Sequence, residues 1–139
     1  MTVLQMDAAL ITAYQALALG LATSYDGEEF TPPTDGSDWA RCSQLPSGTT
    51  VRSLGIAGRD NHRGIFQIDY NSEAGSGRAV LLGYVQATLD QFVAGKGFTS
   101  GGQLVRIRSA ERSSVREADG YQRATVSIFW EADSIRPAF

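Results

Sequence analysis

Apolar residues recur at the spacing of an α-helix near the start of the chain. Residues 7–23 are rich in alanine and leucine, both strong helix formers, and Asp7 can cap the N-terminus. The start can also lie earlier, near Thr2. One apolar stripe, at intervals of four, three and four residues, comprises Leu10, Tyr14, Leu17 and Leu21. The pattern predicts an amphipathic first helix whose stripe faces a core or another subunit.

A second helical pattern runs from about Ser76 to Ala94. Ser76 is placed to cap its N-terminus, and Gly95 and Gly97 end it. Its apolar stripe comprises Val80, Leu82, Val85, Leu89, Phe92 and Val93. We therefore predict a second helix that buries this stripe.

Four other segments are predicted to be strands: 39–45, 62–70, 103–110 and 121–132. In most of them, apolar and polar residues alternate. The last two alternate cleanly and predict an antiparallel hairpin with one covered and one polar face, joined by the charged connection 111–120. Long loops are predicted at 24–38 and 46–61, the second with a short strand near Val51.

The order of these elements predicts the fold class. A helix, strands, a second helix and two further strands indicate an α+β protein. We expect a mostly antiparallel, or mixed, sheet of about four to five strands with the two main helices packed on one face. The length of 139 residues favours a single domain over residues 1–139.

Composition narrows the possible partners. The net charge of −3 is mild, so specific nucleic-acid binding is not expected. The apolar run 8–22 is too short to span a bilayer and is interrupted by polar residues, so no membrane partner is expected. The first residues lack the basic region of a signal peptide. We expect a soluble protein that is made in the cytoplasm.

The charges are unevenly distributed along the chain. Residues 1–35 contain no basic residue, whereas the remainder has all 12 Lys and Arg residues against 10 acids. The acids of the first part are Asp7, Asp26, Glu28, Glu29 and Asp35. Two such regions can attract each other, within one chain or between copies. For each individual charge, a solvated side chain is the simpler interpretation.

Candidate chemistry is sparse. With one histidine, His62, and one cysteine, Cys42, the chain has no set of residues for a zinc site, and we expect no metal, no cofactor and no catalytic residue. A Cys42–His62 pair is conceivable, but a buried Cys42 and a hydrogen-bonded His62 at a sheet edge are commoner. The glycine-rich turn 73–79 precedes a helix, as phosphate loops do, but it lacks their Lys and Ser/Thr.

Several short motifs, taken in order, resemble one family. After the alanine-rich helix come FTPPTDGSDWAR, QLPSG, SLGIAG and HRGIFQIDY, and then GSGRA, FVAGKGF and VSIFWEA. Together they cover most of the chain and resemble the small tail terminator-like proteins of long-tailed phages and prophages, distant relatives of the lambda tail terminator. The charged connection 111–120 is longer than that pattern leads us to expect.

The resemblance implies a structural role in the virion and no enzymatic activity. It implies a homo-oligomeric ring, typically six-fold, in the neck region of the tail. Such a ring caps the head-proximal end of the tail tube, stops tube polymerisation and presents a surface for head joining. The implied partners are the tail tube protein and a head-completion or connector protein.

Charge segregation suggests where the subunits of such a ring would touch. Our hypothesis is that an acidic loop on one subunit meets an arginine-bearing surface on the next. The acidic side comprises Glu28 and Glu29. The basic side comprises Arg59 and Arg63, or Arg106 and Arg108.

Two alternatives remain open from the sequence. The chain could be another neck or connector protein, or a tail-tube subunit, because fold alone does not separate these roles. A different class would be a small enzyme or ligand-binding domain that uses His62 and the 73–79 turn.

Overall fold

The computed structural model describes residues 2–136. The elements in chain order are helix α1 (Thr2–Gln15), strands β1 (Ala22–Ser24), β2 (Trp39–Val51) and β3 (Arg59–Glu73), helix α2 (Ala79–Gln91), and strands β4 (Gly97–Ser100), β5 (Gln103–Arg112), β6 (Arg116–Ala118) and β7 (Tyr121–Ile135).

All seven strands belong to one sheet, so the predicted fold is wrong. The strand order is β1-β2-β3-β7-β5-β4, and β6 pairs with β7 off this path. Strand accounts for 47% of the structure and helix for 19%, and the sheet is curled into a half-barrel. A sheet of four to five strands with two helices on it is therefore not what the chain forms. The β1–β2 pairing is parallel and the others are antiparallel.

The number and the length of the strands were underestimated for two physical reasons. Three strands are only three or four residues long, and such short segments carry little alternation. In addition, β2 continues through Pro46 and Gly48, where the register shifts at a bulge, although these residues are typical of loops. The predicted strand 39–45 therefore extends to Val51, and the predicted loop 46–61 shrinks to a short hairpin connection.

The core lies on one face of the long central strands. Every second residue of β3 and β7 is buried there, as the alternation predicts. The members are Phe66, Ile68 and Tyr70 from β3, and Ala124, Val126, Ile128 and Trp130 from β7. Leu10 and Leu81, from the two helices, join the same cluster.

The first helix ends eight residues before the predicted position, at Gln15 rather than residue 23. Ala18 and Gly20 adopt positive φ angles of 50° and 72°, and the chain then forms β1. Pairing with β2 thus overrides the helix propensity of the alanine- and leucine-rich segment. Leu17 and Leu21 still pack against the core from outside the helix.

Within residues 2–136, neither helix has the length and apolar character needed to cross a membrane.

Candidate interaction surfaces

The face of the sheet opposite the core carries a network of polar side chains. Thr125 donates a hydrogen bond to Asp69 (Oγ1–Oδ1, 2.5 Å) and accepts one from Arg116 (Nη2–Oγ1, 3.1 Å). Arg123 donates to the Asn71 side chain (Nε–Oδ1, 2.7 Å). These hydrogen bonds join β3, β6 and β7, so they help to hold the sheet together.

Charged residues line a cleft near the ends of β3, β5 and β7. In the strand register Glu131 stands between Arg63 on one side and Arg106 on the other. The cleft has a volume of about 580 Å³, and its lining includes Arg59, Arg106 and Glu131. Two of the four arginines predicted as contact residues, Arg59 and Arg106, thus share one concave surface.

Asp133 is the most strongly held acid of this cleft. Its Oδ1 accepts hydrogen bonds from Asn61 Nδ2 at 3.0 Å and from Arg52 Nε at 2.7 Å. The Asn61 hydrogen bond, followed by the hydrogen bond and charge of Arg52 and the charge of Arg59, lowers the pKa of the Asp133 carboxyl. The carboxylate is therefore a fixed negative charge in this cleft.

The other two arginines occupy different places. Arg63 is exposed and donates to the Asn61 side chain (Nε–Oδ1, 3.0 Å). Arg108 is exposed at a bulge in β5, between Ile107 and Ser109, which interrupts the predicted alternation of Arg106 and Arg108. The four arginines therefore do not form one patch.

A second concavity, which we call the apolar groove, has Arg63 in its lining. It has a volume of about 600 Å³, and its apolar walls come from Val3, Leu4, Met6, Pro46 and Trp130. Asp7, Asp26, Gln44 and His62 line it as well. Val3 and Leu4 lie on α1 and are largely exposed, so the groove leaves aliphatic surface open to solvent.

The predicted acidic loop lies beside this groove. Asp26 accepts a hydrogen bond from the backbone N–H of Gln44 on β2 (Oδ2–N, 2.8 Å), which fastens the loop to the sheet. Glu28 and Glu29 follow Asp26 and are exposed. Among residues 2–136, no ion pair joins either glutamate to any arginine. Both glutamates are thus available for an intermolecular contact.

A feature that sequence reasoning missed is the connection between β2 and β3, residues 52–58, which we call the tip loop. It exposes Leu54 and Ile56 at 90% and 78% of their surface. The sequence contained a signal, since two aliphatic residues separated by a single glycine stand within the predicted loop 46–61.

The tip loop is held in one conformation by Arg136. Its guanidinium donates to the carbonyl oxygens of Ser53 and Gly55 and to the carboxylate of Asp60. A Cβ at Gly58 would collide with this guanidinium and with the Ser53 carbonyl, so only glycine fits there. The two exposed aliphatic side chains are thus presented by an ordered loop.

His62 and Cys42 are far apart: His62 is hydrogen-bonded, and Cys42 is buried. His62 Nε2 hydrogen-bonds Ser134 Oγ at 2.7 Å, and its Nδ1 lies 3.2 Å from Thr49 Oγ1. Cys42 pairs in register with Ile68, six residues along β3 from His62, a separation of roughly 20 Å. The Cys–His pair considered from the sequence does not form.

The glycine-rich turn 73–79 makes side-chain hydrogen bonds within its own chain. Ser76 Oγ donates to the Glu73 carbonyl at 2.7 Å, and Gln122 Nε2 donates to the Gly77 carbonyl at 3.0 Å. Helix α2 begins at Ala79, so Ser76 is not its cap. Among the described residues, no cluster of three or more His, Cys, Asp or Glu side chains is arranged to hold a metal ion.

Comparison with known proteins shows which class of protein this arrangement belongs to. A solved structure matches the fold with a TM-score of 0.71 at 22% sequence identity, covering 91% of this chain and 92% of that chain. The likeness shows that this curled-sheet domain is a known fold. No curated protein matches the chain.

A family model described as "Phage tail terminator protein" matches residues 5–130. The chain belongs to this family, and the resemblance identified from the sequence is confirmed. The family is one of structural phage proteins, so the chain is a structural component of the phage tail that interacts with other tail components.

Proposed function

We propose that this protein caps the head-proximal end of the tail tube as a ring of six subunits. The ring stops tube polymerisation and presents the surface to which the head-completion or connector protein joins, in the neck of the virion. The observation that carries this proposal is the family match over residues 5–130, nearly the whole folded domain.

Within such a ring, the acidic loop and an arginine-bearing surface are the proposed subunit contacts. Glu28 and Glu29 are exposed and have no ion pair within residues 2–136, so both can pair with another copy. Arg59, Arg63, Arg106 and Arg108 are exposed on β3 and β5. Arg63 lies beside the acidic loop, whereas Arg59 and Arg106 line the separate cleft. Opposite charges on different surfaces of one chain favour head-to-tail contacts, which close into a ring when the rotation between subunits permits it.

The decisive test adds the purified protein to growing tubes of the tail tube protein from the same phage. A terminator stops elongation and appears as a ring at one end of each tube. A tube subunit would instead extend the tubes, and a connector protein would leave their growth unchanged. Either of these outcomes would overturn the proposal.

A charge reversal tests the subunit contact separately. We expect Glu28→Lys combined with Glu29→Lys to prevent ring formation while the monomer stays folded, because the reversed loop repels the arginine surface. Glu117→Lys, an exposed acid on β6, is the matched control and should leave ring formation intact. Unchanged assembly of the double variant would refute the predicted contact.

A further inference from the structure

The tip loop and the apolar groove have complementary chemistry. The tip loop presents two aliphatic side chains that are almost fully exposed, Leu54 and Ile56. The groove offers apolar walls that include Leu4 and Trp130 in a concavity of about 600 Å³. Exposed aliphatic surface of this kind marks an interaction site, because its burial is strongly favourable in water.

The groove also contains buried polar groups without a partner. Neither the side-chain amide of Gln44 nor the indole Nε1 of Trp130 has a hydrogen-bond partner among the described residues. Both residues line the groove. These atoms are shielded from solvent, and Trp130 Nε1 lies against Gly64, so an occupant of the groove does not reach them. What an occupant meets is the apolar wall and the acidic rim of the groove.

Charge favours the same pairing. The segment 51–59 contains Arg52 and Arg59 and no acid, and Arg52 is paired with Asp133 in its own chain. Asp7 and Asp26 line the groove, against one arginine. Glu28 and Glu29 lie in the same loop as Asp26. An incoming tip loop would therefore bring Arg59 towards an acidic surface.

The two surfaces belong to one hairpin but are separated along it. The groove includes Gly48 and His62, near the Gly48–Arg63 pair. The tip loop begins beyond the Thr49–His62, Thr50–Asn61 and Val51–Asp60 pairs, about 10 Å further along the strands. Because Arg136 holds the loop in place, it does not fold back onto its own groove. A tip loop that occupies this groove therefore comes from another molecule.

We propose that the tip loop of one subunit inserts into the apolar groove of a second copy of this chain. Leu54 and Ile56 then contact Leu4 and Trp130, and Arg59 meets the acidic loop. The contact uses different surfaces on the two partners, so repetition produces a ring or a filament. This inference rests on the proposed ring and names the contact that would build it.

The experiment uses the full chain and measures particle mass over a concentration series up to about 1 mM, a concentration at which even weak contacts are populated. A tip variant carries Leu54→Ser and Ile56→Ser, and a groove variant carries Leu4→Ser. Val93→Ser is the matched control, since Val93 is a half-exposed aliphatic residue outside both surfaces. All four positions are exposed, so the variants should fold as the wild type does.

We expect the wild type and the control to assemble. In the tip and groove variants, the association constant should fall at least tenfold for each aliphatic side chain removed. An equimolar mixture of the two variants should form dimers and stop there. The groove variant keeps an intact tip and the tip variant keeps an intact groove, so one contact per pair survives. This mixing result distinguishes the proposed contact from a symmetric one.

The inference would be overturned if both variants assembled as tightly as the wild type, or if the wild type stayed monomeric up to about 1 mM. It would also be overturned if neither the variants nor their mixture formed dimers while a different surface was cross-linked between subunits. In the proposed contact, Leu54→Cys of one subunit cross-links to Leu4→Cys of another. Cross-linking of Leu54→Cys to the tube protein instead would also overturn the inference. The tube-capping test is independent of all these results, so failure of this contact leaves the proposed function standing.

Discussion

The indole ring of Trp130 lies directly on the backbone of Gly64. The two residues are paired across β3 and β7, and a Cβ built on Gly64 would come within 2.6 Å of Trp130 Cζ2. The absence of a side chain at Gly64 therefore lets the largest residue of β7 lie flat at the end of the core. The same indole forms a wall of the apolar groove, so Gly64 shapes the groove as well.

Replacement of Gly64 should destabilise the fold. We expect Gly64→Ala to lower the free energy of unfolding by about 1–3 kcal/mol, because the added methyl group must displace the Trp130 ring. Urea denaturation monitored by tryptophan fluorescence measures this change. The control is Gly83→Ala in α2, where no atom lies within 4 Å of the added Cβ. It should stabilise the protein by about 0.5–1 kcal/mol. Equal stability of the two variants would contradict the packing described here.

Cys42 should be chemically inert in the folded protein. Its side chain is buried in β2, and this burial, with smaller contributions from Asp26, Asp69 and Asp7, raises the pKa of the thiol to about 12. At pH 8 almost no thiolate is present, so a thiol reagent should label Cys42 only as fast as the chain opens. Rapid labelling under native conditions would show that the residue is accessible. A Cys42→Ser chain with Ser114→Cys, at an exposed position, provides the fast-reacting control.

The sequence predicted β3, β7 and α2 well, because these elements carry enough periods to be recognised, whereas the ends of α1 and β2 were misplaced. The alternation in 62–70 and 121–132 identified the buried face of β3 and β7, including Phe66 and Val126. The predicted helix 76–94 contains α2 but extends three residues too far at each end.

The remaining strands depend on pairing partners that are distant in the chain. In the segment FTSGG, Gly101 and Gly102 form a turn with φ angles of 56° and 84°. The residues before them nevertheless pair with β5 as strand β4. Likewise β2 accommodates Pro46 and Gly48 at a bulge that no local pattern specifies. Strand number was therefore underestimated wherever tertiary pairing, rather than periodicity, made the strand.

The surfaces were only partly predictable for the same reason. Charge segregation identified Glu28 and Glu29 as an exposed acidic pair, and their contacts stay a prediction. Arg63 lines the apolar groove whereas Arg59 and Arg106 line a separate cleft. This separation follows from the curl of the sheet, which no sequence pattern specifies.

Asp133 should make the stability of the protein depend on pH. Because its pKa is lowered in the folded state, it contributes stability that is present above its unfolded pKa of about 3.9 and is lost as the pH falls through the folded value. Asp133→Asn should therefore lower stability near pH 7, by about 0.2–1 kcal/mol for so exposed a pair, and its effect should shrink as the pH falls through the folded value. Urea denaturation at several pH values measures the difference.

Glu117→Gln, another exposed acid on a strand, is the control and should leave the pH profile unchanged. A constant difference between Asp133→Asn and the wild type at every pH would mean that ionisation of this carboxylate does not support the fold. High salt should reduce the effect of Asp133→Asn, since part of it comes from the charge of Arg52.

Arg136 should determine how well the tip loop is ordered. Its Nη2 donates to Gly55 O at 2.9 Å and also to Ser53 O, and its Nη1 donates to Asp60 Oδ1 at 2.6 Å. A lysine keeps the charge but has no planar fork with which to reach several acceptors at once. We expect Arg136→Lys to cost about 1 kcal/mol and to speed amide hydrogen exchange in residues 52–59, above all at Gly58, whose N–H bonds Gly55 O.

The same change should weaken assembly without removing any residue of the proposed contact. A loosened tip loop must be ordered on binding, which lowers affinity even though Leu54 and Ile56 are intact. Arg78→Lys, at an exposed arginine whose side chain caps nothing, is the matched control and should alter neither exchange nor assembly. Faster exchange with unchanged assembly would mean that the tip loop is ordered for some purpose other than subunit contact. Unchanged exchange would show that the loop holds its shape without Arg136.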